Sequence, residues 1–216
     1  MTVTPPDIPK AVVFVDGQNL FHAAKEAFGY NWPNYDPVAL ATRICRNKRW
    51  ELLQTRFYTG VPDAADNEFW NHFWTSKLAV IGRCPTAEIY RRSLRYRNQT
   101  VRLPNGTKHT FLVGQEKGID VRIALDTTRF ALDRHYDVAI IVSQDQDLTE
   151  AVEEVKEIAC MQNRWIWVAS AFPVSPTSEN RRGIDKTEWI QITRADYDAC
   201  LDPRDYRPPH MRGKKR

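Results

Sequence analysis

The sequence predicts an α/β fold with a mostly parallel sheet and helices on both of its faces. Three observations carry this. Residues 11–15 (Ala-Val-Val-Phe-Val), 138–142 (Val-Ala-Ile-Ile-Val) and 165–169 (Trp-Ile-Trp-Val-Ala) are apolar throughout, as strands buried on both faces are. Segments with apolar residues at helical spacing follow the first two runs. Strand and helix therefore alternate along the chain, and that alternation gives parallel pairing through helical crossovers. The 216 residues suffice for one compact domain with room for an insertion.

Taken in order, residues 1–10 read as a lead-in to a strand at 11–15 and a helix at 18–28. Pro33 and Pro37 break the connection that follows. Asp36 is placed to cap a second helix with Pro37 at its first position. That helix carries Val38, Ala41, Ile44 and Cys45 on one face, with Leu40 at its edge. Residues 51–59 read as a strand. Residues 66–81 read as a helix whose stripe, Phe69, Trp70, Phe73, Trp74, Lys77 and Leu78, is expected to be core. Residues 86–97 and 107–113 read as a β-hairpin turned at Asn105-Gly106, so the stretch 84–113 is an inserted basic hairpin. A helix at 119–132 follows, then the strand at 138–142 with its helix to about 162. The strand at 165–169, a loop from Phe172 to Gly183 and a short strand at 189–192 complete the domain, which spans 11–192. The remainder, 193–216, is a basic Pro-containing tail, expected to be disordered from Arg204 onward.

Composition excludes several classes. Apolar content of 42% and charged content of 27% are those of a soluble globular protein. No apolar run is long enough for a membrane span, and the N-terminus lacks the pattern of a secretory signal. The four cysteines are widely spaced, which fits reduced thiols in a cytoplasmic protein. Dinucleotide, P-loop, zinc-protease and serine-hydrolase motifs are all absent. The net charge of +4 is unevenly spread: six Lys or Arg and no acid lie between Ile89 and Thr110. Arg91, Arg92, Arg95 and Arg97, interleaved with Tyr90 and Tyr96, suit a nucleic-acid strand through phosphate pairing and base stacking. An arginine-solubilised edge, or a face toward a second subunit of a homo-oligomer, fits the same residues.

The chemistry concentrates at strand ends. Asp16 ends the first strand, and Asp145 and Asp147 follow the strand at 138–142. If these strands are parallel neighbours, the three carboxylates converge at the sheet edge where α/β folds bind ligands. Crowded carboxylates repel one another, and a divalent cation removes that conflict. Asp120, in the first turn of its helix, is the better additional ligand. Asp126, six residues on, faces elsewhere and either supports the site or bonds structurally. All-oxygen donors select Mg2+ or Mn2+. The bland alternative is that these aspartates cap helices, with Ser143 and Gln146 forming a capping box.

The segments Val-Phe-Val-Asp16-Gly-Gln-Asn19-Leu, Lys-Gly-Ile-Asp120-Val with Asp126, and Ile-Val-Ser143-Gln-Asp145-Gln-Asp147-Leu resemble the motifs of the NYN domain, a PIN-like nuclease family. The resemblance spans about residues 11–192. It implies a PIN-like three-layer α/β/α sandwich and a metal-dependent endoribonuclease acting on RNA. Asp16, Asp120, Asp145 and Asp147 would hold Mg2+ or Mn2+, with Asn19 and Ser143 in support. Gln144, Gln146 and Leu148 stand where the family usually has Gly, Ser and Phe, and Gln144 is expected to crowd a turn that Gly eases. Two alternatives accompany this reading: a catalytically weak RNA-binding module, and a 6-hydroxy-3-succinoylpyridine hydroxylase of nicotine degradation, a name borne by some bacterial proteins similar to this family.

Overall fold

The computed structural model describes residues 3–103, 106–115 and 117–211; for residues 95, 96, 99 and 111–115 it describes the backbone alone. In chain order the elements are β1 (Lys10–Asp16), α1 (Gly17–Phe28), α2 (Pro37–Lys48), β2 (Glu51–Val61), α3 (Glu68–Ile81), β3 (Ala87–Ser93), β4 (Arg95–Arg102), β5 (Lys108–Gln115), α4 (Ile119–Leu132), β6 (Val138–Val142), α5 (Thr149–Met161), β7 (Trp167–Pro173), β8 (Glu188–Ile192) and α6 (Arg194–Asp198). Six strands form one sheet in the order β3-β2-β1-β6-β7-β8, and every pair in it is parallel. The first half of the chain winds outward from β1, and the second half starts again on its other side at β6. The order therefore reverses between β1 and β6.

The strand sequences explain the layers. Successive residues point to opposite faces, so Ala11, Val13 and Val15 pack with α1, α2, α3 and α6 on one face. Val12 and Phe14 pack with α4 and α5 on the other. The middle strands are buried on both faces, hence their unbroken apolar runs. Helix starts follow their caps. Asp36 Oδ1 accepts from the amides of Val38 and Ala39, with Pro37 at the first position of α2. Asn67 Oδ1 accepts from Trp70 N at the start of α3.

Four expectations change. The buried stripe of α2 centres on Leu40, which is 1% exposed, while Val38 is only half-buried. The expected first hairpin arm is two strands. Residues 87–93 pair in parallel with β2, from Thr55↔Ala87 to Val61↔Ser93, because Ala87 and Ile89 supply apolar contacts to one core and Tyr90 to the other. Beyond Leu94, whose amide donates to Val61 O, the chain leaves the sheet and β4 pairs antiparallel with β5. Of the expected turn residues, Gly106 takes φ 85°, and Asn105 lies outside the described residues. β7 continues through Phe172 to Pro173, since its inner position between β6 and β8 keeps those residues buried.

The C-terminal segment is not loose through residue 211. Tyr206 is 5% exposed, packs edge-on against Phe73 at 5.7 Å, and donates its hydroxyl to Asp202 Oδ2 at 2.5 Å. Residues 212–216 lie outside the described residues. Among the described residues no helix is long and apolar enough to cross a membrane.

Candidate functional site

β1 and β6 are neighbours, in register from Ala11↔Val138 to Val15↔Val142. Asp16 and Ser143 therefore emerge side by side at the carboxyl rim, where the strand order reverses. That crevice is the general ligand position of open α/β sheets. Asp16 ends β1 and caps α1, its Oδ1 accepting from Asn19 N at 3.0 Å. Gly17 is required by the close approach of this turn to β2. A Cβ there would lie 2.7 Å from the Phe57 ring and 2.9 Å from the backbone oxygen of Tyr58.

Asn19 then ties the two strand ends together. Its Oδ1 accepts from Gln144 N at 3.0 Å, across 125 residues of sequence. Buried Ser143 accepts from Asp145 N through Oγ, and Asp145 Oδ1 accepts from Asp147 N to start a short 3-10 turn, Gln146–Leu148. Asp120 arrives from the first turn of α4. An open cleft of about 510 Å³ results, with Asp16, Asp120 and Asp145 in its walls beside Asn19, His22 and Lys117. Burial pushes the Asp16 carboxyl up to about 6, against the pull of the Asn19 and Gln18 amides; the neighbouring Asp145 and Asp120 carboxylates raise it further.

Other expected residues lie elsewhere. Asp147 is exposed and outside the cleft lining, because the 3-10 turn carries it round the rim. Among the described residues no three Asp, Glu, His or Cys side chains close into a ready metal cage. Asp126 is 3% exposed and fully engaged, with Arg122 Nη2 at 2.8 Å, Tyr58 OH at 2.8 Å and Arg56 Nη2 at 3.0 Å. Burial alone would raise its pKa, but these three partners hold it below the usual carboxylate range. Asp126 thus locks α4 to β2.

The capping box does not form. Gln146 Nε2 donates to Gly183 O at 2.9 Å, its Oε1 accepts from Asp185 N at 3.1 Å, and α5 begins without a side-chain cap. Gln144 donates to Arg182 O at 2.8 Å and to Asn180 O at 3.3 Å. Positive φ among described non-glycine residues occurs at 49, 134, 163 and 186, so Gln144 does not need the left-handed backbone that Gly eases. The two glutamines pin the 180–185 loop to the rim, a role that sequence reading missed.

A second hollow of about 600 Å³ adjoins the acidic cleft and shares Lys117 and Gly118 with it. Tyr90, Arg91 and Arg92, at the end of β3, form its other wall. Arg92 Nη1 donates to Lys117 O at 2.9 Å. The guanidinium lies so close to Gly118 (φ 75°) that a Cβ there would come within 2.3 Å of Nη1. Sequence reading quoted Lys117 and Gly118 within the second motif but gave them no role. Arg97 is exposed on β4, and Arg95 starts that strand.

The model of the NYN domain matches residues 10–163. A protein of unknown function from Vibrio parahaemolyticus, of known crystal structure, shares the fold. It is 20% identical, the match covers 90% of this chain and 99% of that one, and the TM-score is 0.50. No curated protein matches the chain.

Proposed function

The chain belongs to the NYN domain family, a PIN-like nuclease family, and on that premise we propose that it is a metal-dependent endoribonuclease working at the Asp16–Asp120–Asp145 cleft. The observation that carries this reading is the meeting of three carboxylates from three elements in one cleft at the strand-order reversal, directly beside a basic hollow. Carboxylate and phosphate both being anionic, the arrangement suits a polyanion only if a cation lies between them. The donor chemistry fits: hard oxygens, one of them on a buried carboxyl crowded by like charge. Asp16, Asp120 and Asp145 would hold Mg2+ or Mn2+, with Asp147 reaching in from the rim. Such an ion supplies a Lewis acid for the phosphodiester and a water of lowered pKa.

The chain's own groups do the rest. Arg91, Arg92 and Lys117 hold backbone phosphates and set the register of the RNA. Asn19 and Ser143 hold the Asp145 turn against β1. Arg97, exposed on β4, extends the basic track.

The test is cleavage of a labelled RNA in Mg2+ or Mn2+. Asp145→Asn keeps an oxygen for Asp147 N and so keeps the turn. Its cleavage rate should fall at least about 100-fold, the upper end of what disturbing a metal site's outer partners alone costs, with melting temperature retained. Undiminished cleavage by this variant ends the proposal. A second reading, an RNA-binding module with little catalysis, is favoured by the exposure of Asp147 and the open carboxylate geometry. RNA binding by the wild type without cleavage in either metal selects it.

A further inference from the structure

We infer that the aromatic hollow on the other side of α1 is a nucleobase subsite, occupied by a base of the strand whose phosphate reaches the acidic cleft. The substrate class rests on the RNA reading above; the subsite itself rests on the following geometry. The hollow measures about 480 Å³, within the range of about 300–1,000 Å³ common for small-ligand clefts. Phe21 from α1 and Trp70 and Trp74 from α3 form its walls, with Pro62 at the end of β2. The Trp70 ring is held edge-on by Phe69 and Phe73, each at 5.2 Å, so its orientation is preset. The stripe expected to be core is therefore core only in part: Phe73, Trp74 and Leu78 are buried, whereas Phe69 and Trp70 are half-buried.

The rim distinguishes this hollow from an apolar groove. The side chains of Gln18 and His22 make no hydrogen bond to a described residue, and the Asn67 side chain uses only its Oδ1, on Trp70 N. Free amide and imidazole edges above an aromatic floor match a flat ring with polar edges. Asp66 on the same rim accepts from amino groups and repels phosphate, which favours the base end of a nucleotide. Position completes the match. Gln18 and His22 line the acidic cleft as well, and Leu94 lines the basic hollow as well. A strand laid across the rim thus meets arginine, carboxylate and aromatic surfaces in contact with one another.

The test titrates the full chain, in Mg2+, with the four nucleoside 5′-monophosphates and with ribose 5-phosphate, followed by calorimetry. At least one nucleotide should bind about tenfold or more tighter than ribose 5-phosphate, the scale of stacking one base on an aromatic side chain. Trp70→Ala should erase that gap, Trp70→Phe should keep most of it, and Gln18→Ala should change the ranking among the four bases. Equal binding of ribose 5-phosphate, a gap that survives Trp70→Ala, or no nucleotide binding overturns the inference. So does tighter binding of pyridine-3-carboxylate than of every nucleotide. RNA cleavage is measured on the same preparations. Cleavage without base preference sinks the subsite and leaves the nuclease reading standing. Base preference without RNA cleavage or binding does the reverse.

Discussion

Lys77 on α3 is fully buried, and replacing it with methionine gives a pH-dependent stability change whose size follows from its surroundings. Its Nζ donates to Tyr35 O at 2.5 Å, lies 3.5 Å from Asp202 Oδ2, and sits over the rings of Tyr35 and Tyr206 at 5.3 and 5.1 Å. Burial lowers its pKa from 10.5 to about 8, with Asp202 and Asp36 opposing the fall and Arg204 adding to it. At about 1.36 kcal/mol per pH unit, keeping this ammonium charged in the fold costs on the order of 3 kcal/mol. The folded group releases its proton near pH 8, while the unfolded one keeps it to 10.5. The unfolded state holds more protons in that window, so the stability contributed at this position rises with pH across it and is at its lowest, and flat, below pH 8.

Lys77→Met removes the charge. Asp202 retains Tyr206 OH and Arg204 N as donors, while Tyr35 O loses the Lys77 hydrogen bond, one from a charged donor worth about 1.5–3 kcal/mol. The variant is therefore expected within about 2 kcal/mol of wild type at pH 7. The decisive quantity is the slope. Urea unfolding at pH 7, 8, 9 and 9.5 should show wild type gaining about 2 kcal/mol on the variant between pH 8 and 9.5. The buried tyrosines titrate later and in both proteins. A difference that stays flat over this range refutes the reasoning.

Three further outcomes follow. Asn19→Ala leaves Gln144 N without its acceptor; it should cost about 1 kcal/mol in urea unfolding and lower the RNA cleavage rate more than RNA affinity. Asp126→Ala strands Arg56 and Arg122 beside Tyr58 and should cost about 3–5 kcal/mol, read by thermal unfolding, with Arg56→Met in the same chain recovering part of the loss. Arg92→Ala should weaken RNA binding for all sequences alike and reduce the slope of log affinity against log salt by about 1.

The sheet was legible because its inner strands carry both-face burial in their own residues, as 11–15 and 138–142 do. Asp16, Asp120 and Asp145 were legible because each sits at a strand end or helix start, positions that topology alone brings together. Asp147 was expected beside Asp145 because both follow the same strand; the structure leaves it exposed at the rim, outside the cleft lining. The 3-10 turn started by the Asp145 carboxylate on Asp147 N separates the two positions, which spacing along the chain does not reveal. The division of the basic arm at Leu94 has no local signal, since it depends on where β2 ends. The Asp126 lock was half-visible: Arg56 and Tyr58 are two apart on one strand and so share a face, but their partner lies 70 and 68 residues away. The return of Tyr206 onto Phe73 was hidden by the Pro and Arg around it.

Gln144 and Gln146 alternate with Asp145 and Asp147 along four consecutive residues, and both glutamines grip backbone of the 180–185 loop. Anchorage and chemistry are thus threaded through the same short stretch. A reagent that grasps that outer loop, such as an antibody raised against it, would pull on the carboxylate turn from behind. On the proposed function, such a reagent should slow RNA cleavage without covering the mouth of the cleft.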